Sequence, residues 1–161
     1  MLTDLFGRFL RYLALAAGVL LLVLMLFTVV DVVLRNAFNM PLRSVYEFTE
    51  FLMAPIVFLA VAYTGWVGGH IAVDLFAEWL DRPGLRFIPA ILAFMGAALF
   101  ALIAYRALLE TMTTVDQVSN LLRWPFYPFR FAVAFGAGLY AIVLLIEAVQ
   151  ALRGVPTGDN R

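Results

Sequence analysis

The sequence predicts an all-α integral membrane protein with four transmembrane helices and short amphipathic interfacial helices in the connections. The 161 residues are 65% hydrophobic and 14% charged, whereas soluble domains carry about 25% charged residues. The charges cluster and leave four long uncharged runs, and about 20 apolar residues cross a hydrocarbon core about 30 Å thick. No alternation of apolar and polar residues with period two appears, which excludes a β-barrel.

The four runs place the spans at about 12–34, 51–69, 87–108 and 129–152 within one membrane domain of 1–161. The first run is too long for the apolar region of a signal peptide, so it is expected to be an uncleaved span. Residues 154–161 read as a disordered tail. Tryptophan and tyrosine lie near the span ends, as in the aromatic belts of membrane proteins: Tyr12, Tyr46, Tyr63, Trp66, Trp79, Tyr105, Trp124 and Tyr127.

Two connections have amphipathic patterns typical of interfacial helices. In the first, Pro41 marks a turn and an amphipathic segment covers 44–50. Ser44 precedes Glu47 by three residues, which is the spacing of a capping box at a helix start. In the second connection, apolar and acidic residues alternate over 71–80.

The charged residues near the span ends are the candidate functional positions. Asp31 and Arg35 have the i, i+4 spacing of an ion pair on one helix face. Arg43, Glu47 and Glu50 fit a solvated interfacial face, because no nucleophile or base accompanies the two carboxylates. Docking against another protein is the alternative for the Asp31–Arg35 pair.

His70 is the single histidine, and Asp74 follows it by one helical turn. A metal site requires at least a third ligand, and the nearby acidic residues fit the ordinary polar face of the 71–80 segment. We therefore expect a structural or subunit contact at His70 and Asp74, without a metal or another cofactor. The chain has no cysteine, so thiolate ligands, cysteine nucleophiles and disulfides are excluded.

Small residues recur at helical spacing within the spans. Gly65 and Gly69 form a GxxxG motif, and similar strips occur at 93–101, 132–136 and 134–138. Such strips let helices approach closely, either within this chain or against another membrane subunit. The span centres contain no acidic or basic residue, although an ion-coupled carrier needs an embedded carboxylate. This pattern argues against a chain that carries solute by itself.

Three segments in this order resemble the small membrane subunit of tripartite ATP-independent periplasmic (TRAP) transporters. They are VVDVVLRNAFNMPL, EFTEFLMAPIVFLAVAYTGWVGGHIAVDLF and the RWPFYP entry into the last span. The most specific positions are Asp31 with Arg35, Glu47 with Glu50, and His70 with Asp74. The similarity extends over nearly the whole chain.

The resemblance implies a scaffold subunit of a secondary active importer in the bacterial inner membrane, with four spans and both termini cytoplasmic. Its implied partners are a large membrane subunit of about a dozen spans, which moves solute by a sodium-coupled elevator motion, and a periplasmic solute-binding protein. The resemblance assigns no catalytic residue. Arginine counts of six and five on the two sides of the membrane do not determine the orientation.

Two other functions stay open at this stage. One is a self-sufficient four-helix transporter that acts as a homo-oligomer. The other is a membrane enzyme, for which the sequence supplies only acidic interfacial faces. The transported solute is not encoded in any of these patterns.

Overall fold

The computed structural model describes residues 2–67, 87–119 and 122–153 of the chain. Within these ranges the chain forms four helices, and its only β-type pairing is an isolated antiparallel bridge between Val118 and Pro125. All four helices are long and apolar enough to cross a membrane. This confirms the predicted fold class. The helices are α1 (Leu2–Phe38), α2 (Arg43–Trp66), α3 (Phe87–Thr113) and α4 (Tyr127–Arg153).

The helices extend beyond the uncharged runs that predicted the spans. The 37 residues of α1 give a helix about 55 Å long, well over the thickness of a hydrocarbon core. Charged residues do not interrupt the backbone hydrogen bonds of a helix, so an uncharged run marks membrane depth better than it marks helix ends. The segment 44–50 is continuous with the second span in α2, and its interfacial depth stays a prediction. The segments 71–80 and 154–161 lie outside the described residues.

The helices follow the spatial order α1–α2–α4–α3. The extensive contacts join α1 to α2, α2 to α4, and α4 to α3, so α2 and α4 are the inner helices. The core cluster lies mainly on these two helices: it consists of Leu10, Ala62, Ala97, Leu139, Tyr140, Val143 and Leu144. In the apolar windows of α2 and α4, 33% and 50% of the residues are buried, against 6% in α1 and 11% in α3.

Glycine lets the two inner helices approach closely. A Cβ atom added at Gly136 of α4 would lie 2.8 Å from the carbonyl carbon of Phe58 in α2, so only hydrogen fits at this contact. A Cβ atom at Gly65 of α2 would lie 2.6 Å from the ring of Tyr140 in α4. Small residues from the predicted strips therefore pack within the chain at these two positions.

Candidate functional site

Three parts of the chain meet at one end of the helices: the α1–α2 turn, the first turns of α2, and the connection from α3 to α4. Two carboxylates, Asp31 and Glu47, are buried there with exposed fractions of 4% and 8%. Each carboxylate accepts hydrogen bonds from a different part of the chain. We call the Asp31 group the turn clamp, formed by Asp31, Arg35, Leu42 and Tyr46. We call the Glu47 group the loop clamp, formed by Glu47, Ser119 and Leu122.

The turn clamp holds the end of α1 against the start of α2. Arg35 donates to Oδ2 of Asp31 at 2.7 Å, and the backbone N–H of Leu42 donates to Oδ1 at 2.6 Å. Arg35 also donates to the hydroxyl of Tyr46 at 2.6 Å. The guanidinium carbon of Arg35 lies 5.4 Å from the Tyr46 ring centroid, within the range of a cation–π contact. The expected Asp31–Arg35 ion pair is thus present and is extended by two contacts to α2.

The backbone of the α1–α2 turn explains why the turn clamp can form. Asn39 has a φ of 56°, a left-handed conformation that asparagine tolerates better than most residues. Pro41 follows and cannot continue the helix. Leu42 is the N-cap of α2 and has no side chain that could cap the helix. Asp31 of the preceding helix accepts the hydrogen bond of the Leu42 N–H and so holds the turn to α1.

The loop clamp joins α2 to the connection between α3 and α4. Oε2 of Glu47 accepts from the Ser119 hydroxyl and from the Leu122 backbone N–H, both at 2.8 Å. The expected solvated face is therefore wrong for Glu47, because the folded connection covers it. The expected capping box with Ser44 is wrong as well. Since α2 starts earlier, with Leu42 as its N-cap, Glu47 lies beyond Val45, which occupies the third helical position where a capping box places its acidic residue.

Backbone hydrogen bonds fold the connection into a narrow loop. The Ser119 N–H donates to the Trp124 carbonyl at 2.9 Å, and the Phe126 N–H donates to the Gln117 carbonyl at 3.1 Å. The Ser119 hydroxyl also accepts from the Trp124 N–H at 3.3 Å. Arg123 has a φ of 52°, which helps the chain reverse within this short distance. The loop thus aims two donors, from Ser119 and Leu122, at one carboxylate oxygen.

Aromatic contacts reinforce both clamps from α2. Phe48 stacks on Phe27 of α1 with ring centroids 5.9 Å apart, and meets Trp124 of the connection edge-on at 5.2 Å. Phe51 contacts Phe126 at 4.7 Å and Phe129 of α4 at 5.1 Å. The start of α2 therefore contacts α1, the α3–α4 connection and α4.

A third polar contact joins the ends of α3 and α4. Arg130 of α4 lies 3.4 Å from Glu110 of α3 in an ion pair and donates to the Thr114 hydroxyl. Its guanidinium also stands over the Phe126 ring at 5.3 Å. Because the Glu110 side chain is 61% exposed, this ion pair contributes less to stability than the buried Glu47 contacts.

The structure brings together some predicted site residues and not others. Asp31, Arg35 and Glu47 lie in the two clamps. Glu50 is exposed, Arg43 is the first residue of α2, and Gly65 packs against Tyr140 at the other end of the helices. The remaining predicted positions, Gly69, His70 and Asp74, lie outside the described residues.

Sequence reasoning missed the partners of the two carboxylates, above all Tyr46, Ser119 and Leu122. Tyr46 was predicted only as part of the aromatic belt. Ser119 lies 72 residues from Glu47 along the chain, so no local spacing links them. A serine in a polar connection carries no signal that its hydroxyl faces a buried acid.

The chemistry available at this end is that of structural hydrogen bonds. The two carboxylates receive donors from the chain itself, which suits fixed geometry and does not suit proton transfer. Within the described ranges, no group of three histidine, cysteine or acidic side chains could hold a metal ion. The clamps fix the relative positions of α1, α2 and the α3–α4 connection.

Comparison with known proteins assigns the family. The sequence profile of the DctQ component of tripartite ATP-independent periplasmic transporters matches residues 24–154. No curated protein and no solved structure matches the chain. The matched region includes both clamps, all of α2, α3 and α4, and the end of α1. The chain therefore belongs to the DctQ family and is a membrane component of a TRAP-type transporter.

Proposed function

We propose that the chain is a non-catalytic scaffold subunit of a secondary active solute importer, and that it stabilises the static part of a large permease subunit. Membership of the DctQ family supports a role in a transporter with several components. The observation that carries the proposal is the helix order, in which α1 and α3 are outermost and expose apolar faces along most of their length. Such faces can bury against a larger membrane protein.

The fixed polar groups of the described spans support a static role. The buried carboxylates Asp31 and Glu47 are held by donors of the chain itself. A carboxylate with two donors to one or both oxygens is poorly suited to bind and release a coupling ion in each cycle. Ion coupling, by sodium in our proposal, therefore belongs to the large subunit.

The proposed partners are the large permease subunit, of about a dozen spans, and a periplasmic solute-binding protein. The proposed location is the bacterial inner membrane, with both termini cytoplasmic. In this orientation the two clamps lie on the periplasmic side, because α1 ends and α2 begins there. The binding protein would approach this side of the scaffold.

We also propose that the predicted positions fix segments at the membrane interface and at subunit contacts. The turn clamp and the loop clamp do this for the periplasmic side. Gly65 fixes the segment on the cytoplasmic side, where it packs against Tyr140. The full set is Asp31, Arg35, Arg43, Glu47, Glu50, Gly65, Gly69, His70 and Asp74.

Reconstitution into liposomes tests the scaffold role. We expect the purified chain alone to move no solute, and the chain with the large subunit and the binding protein to accumulate solute when an inward sodium gradient is applied. Liposomes with the large subunit alone are the matched control and should lose most of the activity. Solute uptake by the chain alone would contradict the proposal.

The alternative is a self-sufficient homo-oligomeric transporter, and one observation favours it. Glu147 lies within the candidate span Tyr127–Leu152 of α4 and is only partly exposed, so the chain does have an acidic residue inside a predicted span in addition to the clamped Asp31. If this alternative were correct, the chain alone would transport, and Glu147→Gln would abolish that transport. Under the scaffold proposal, the same substitution leaves the chain inactive by itself, as before.

A further inference from the structure

The turn between α1 and α2 exposes three large apolar side chains. Phe38 and Met40 are 67% and 68% exposed, and Leu42 is 37% exposed. Asn39 and Pro41, which lie between them in the chain, are exposed as well. Single exposed apolar residues are common on proteins, whereas a group of them on one short turn is typical of a binding surface. We call Phe38, Met40 and Leu42 the turn knob.

Hydrogen bonds to α1 hold the backbone of the turn knob. The N–H of Leu42 donates to Oδ1 of the buried Asp31 at 2.6 Å, and the N–H of Met40 donates to the Leu34 carbonyl at 3.3 Å. Pro41 lies between these two donors, and its ring restricts the backbone further. A surface that is already ordered loses little conformational entropy when it binds. The turn knob can therefore bind a partner without first having to fold.

The two helices that meet at the turn both place the knob beyond the lipid headgroups. Phe38 follows Val30, the last residue of the first uncharged run, by eight residues, and Leu42 precedes Phe51, the first residue of the second run, by nine. These separations are about 12 to 14 Å along a helix. A headgroup layer is only about 5 to 7 Å thick, and an average tilt of about 20° shortens the separations by less than about 1 Å. Lipid is therefore not the expected occupant of the knob.

The undescribed segments of the chain are attached at the other end of the helices. The 24 residues of α2 separate the turn knob from that end by about 36 Å. The segment 68–86 starts and ends there, so each half of it reaches about 34 Å at most when fully extended. The eight residues 154–161 reach less far. Neither segment is long enough to cover the knob.

The size of the turn knob indicates a short-lived contact. Three side chains with these exposed fractions offer roughly 300 Å² of apolar surface, within the range of functional patches on ordinary proteins. Weak, transient complexes bury less than about 600 Å² on each partner, whereas obligate complexes bury about 1,000 Å² or more. A permanent contact with a large permease subunit fits the long apolar faces of the outer helices, and the turn knob fits a transient contact.

We infer that the turn knob is the docking site of a water-soluble protein that binds and leaves in each transport cycle, and that this protein receives Phe38 and Met40 in an apolar depression of its surface. The inference rests on the proposed function, in which the periplasmic solute-binding protein is the soluble component and the turn lies on the periplasmic side. A protein that delivers solute has to be released after delivery. A small, preformed apolar contact suits such a partner.

A spin label in the turn tests which molecule occupies the knob. The chain contains no cysteine, so Met40→Cys allows the label to be attached at one place before the chain is assembled with the large subunit in lipid nanodiscs. We expect the label to be mobile and open to water in this assembly, and to become immobilised when the purified binding protein is added. Met112→Cys is the matched control, because Met112 is a 67% exposed methionine at the same end of the opposite outer helix. Its label should change much less.

Every other outcome of the labelling overturns the inference. A label at position 40 that is immobile before the binding protein is added would assign the knob to the large subunit. A label that is shielded from water and open to oxygen would assign it to lipid. Immobilisation that depends on the concentration of this chain alone would assign it to a second copy. Equal immobilisation at positions 40 and 112 would show that the knob is not a specific contact.

Binding measurements test the two side chains directly. We expect Phe38→Ser combined with Met40→Ser to raise the Kd of the binding protein for the assembled complex at least about tenfold, since a few central residues dominate a small interface. Met112→Ser is the control and should change the Kd less than about twofold. Because the substituted side chains are exposed, the thermal unfolding midpoint of the isolated chain should stay the same.

Association of the wild-type chain with the large subunit tests the proposed function independently of the knob. If the wild-type complex assembles and transports, and the double variant binds the binding protein as tightly as the wild type, the inference is wrong while the proposed function stands.

Discussion

The inner helices and the outer helices of this molecule differ in how much of their apolar surface the described chain itself buries. α2 and α4 pack against each other through glycine, and 33% and 50% of their apolar windows are buried. α1 and α3 bury 6% and 11%, although one side of each packs closely on its inner neighbour, as at Gly7 against Trp66 and Gly96 against Leu144. Polar contacts near the helix ends add to this packing. Asp31 joins α1 to α2, and Glu110 joins α3 to α4.

The difference indicates which surfaces are available for assembly. Tight packing through small residues commits the inner helices to each other, because helices in lipid gain little from burying apolar surface as such. The outer helices keep their apolar faces open and need only enough contacts to hold their positions. A scaffold subunit requires this combination of a rigid centre with surfaces that can bury against a larger protein.

The largest expected effect comes from breaking the inner contact. Gly136→Leu places a side chain where a Cβ atom alone would lie 2.8 Å from the Phe58 backbone. We expect a loss of about 3 kcal/mol in the free energy of unfolding, at the upper end for overpacking. Thermal unfolding in detergent measures it. Gly18→Leu in α1 is the control, since nothing lies within 4 Å of the added Cβ atom. An equal loss of unfolding free energy in both variants would show that the contact at Gly136 is not especially tight.

The second prediction removes the loop clamp that ties α2 to the α3–α4 connection. Glu47→Ala leaves the Ser119 hydroxyl and the Leu122 N–H without their acceptor, which costs about 2 kcal/mol for buried donors. Hydrogen exchange at the Leu122 amide should accelerate. Glu50→Ala is the matched control, because Glu50 is exposed on the same helix. Unchanged exchange at Leu122 would show that Glu47 does not hold the loop.

The third prediction weakens the attachment of an outer helix. Asp31→Ala removes the acceptor of Leu42 and the partner of Arg35, and we expect it to cost about 1 kcal/mol. Asp31→Asn retains an oxygen for the Leu42 N–H and should cost less, because the Arg35 side chain is 42% exposed and its ion pair is worth little. Thermal unfolding ranks the two variants. A larger loss in Asp31→Asn would contradict the assigned roles.

The smallest effect is expected at the exposed ion pair between Glu110 of α3 and Arg130 of α4. Glu110→Gln removes the charge that faces Arg130, and the 61% exposed side chain limits the loss to about 0.5 kcal/mol or less. The change should vanish at high salt, since salt screens exposed pairs. If Glu110→Gln lowered the free energy of unfolding as much as Glu47→Ala does, Glu110 would stabilise the fold as strongly as the buried Glu47, and this prediction would be wrong.

The spacing of residues within each helix predicted much of the fold and one part of the site. Uncharged runs predicted four spans, because apolar length is set by bilayer thickness. The i, i+4 spacing predicted the Asp31–Arg35 pair, since both residues lie on one helix. Small-residue spacing predicted close helix packing at Gly65, although it did not predict Tyr140 as the neighbour.

The loop clamp could not be predicted from the sequence, and the reason is physical. Glu47 is buried by a connection that comes much later in the chain. Burial by a distant segment produces no periodic pattern in the sequence around Glu47. Its spacing from Ser44 suggested a helix cap, but the N-cap of α2 is Leu42, whose N–H donates to Asp31. Local rules thus gave the right helix and the wrong role for its acidic residue.

Purification from native membranes through a tag on this chain tests the central claim most directly. We expect a large membrane subunit of about a dozen spans to co-purify in equimolar amount, as resolved by the intact mass of the complex. A chain that purifies alone, or only as a homo-oligomer, would contradict the scaffold account.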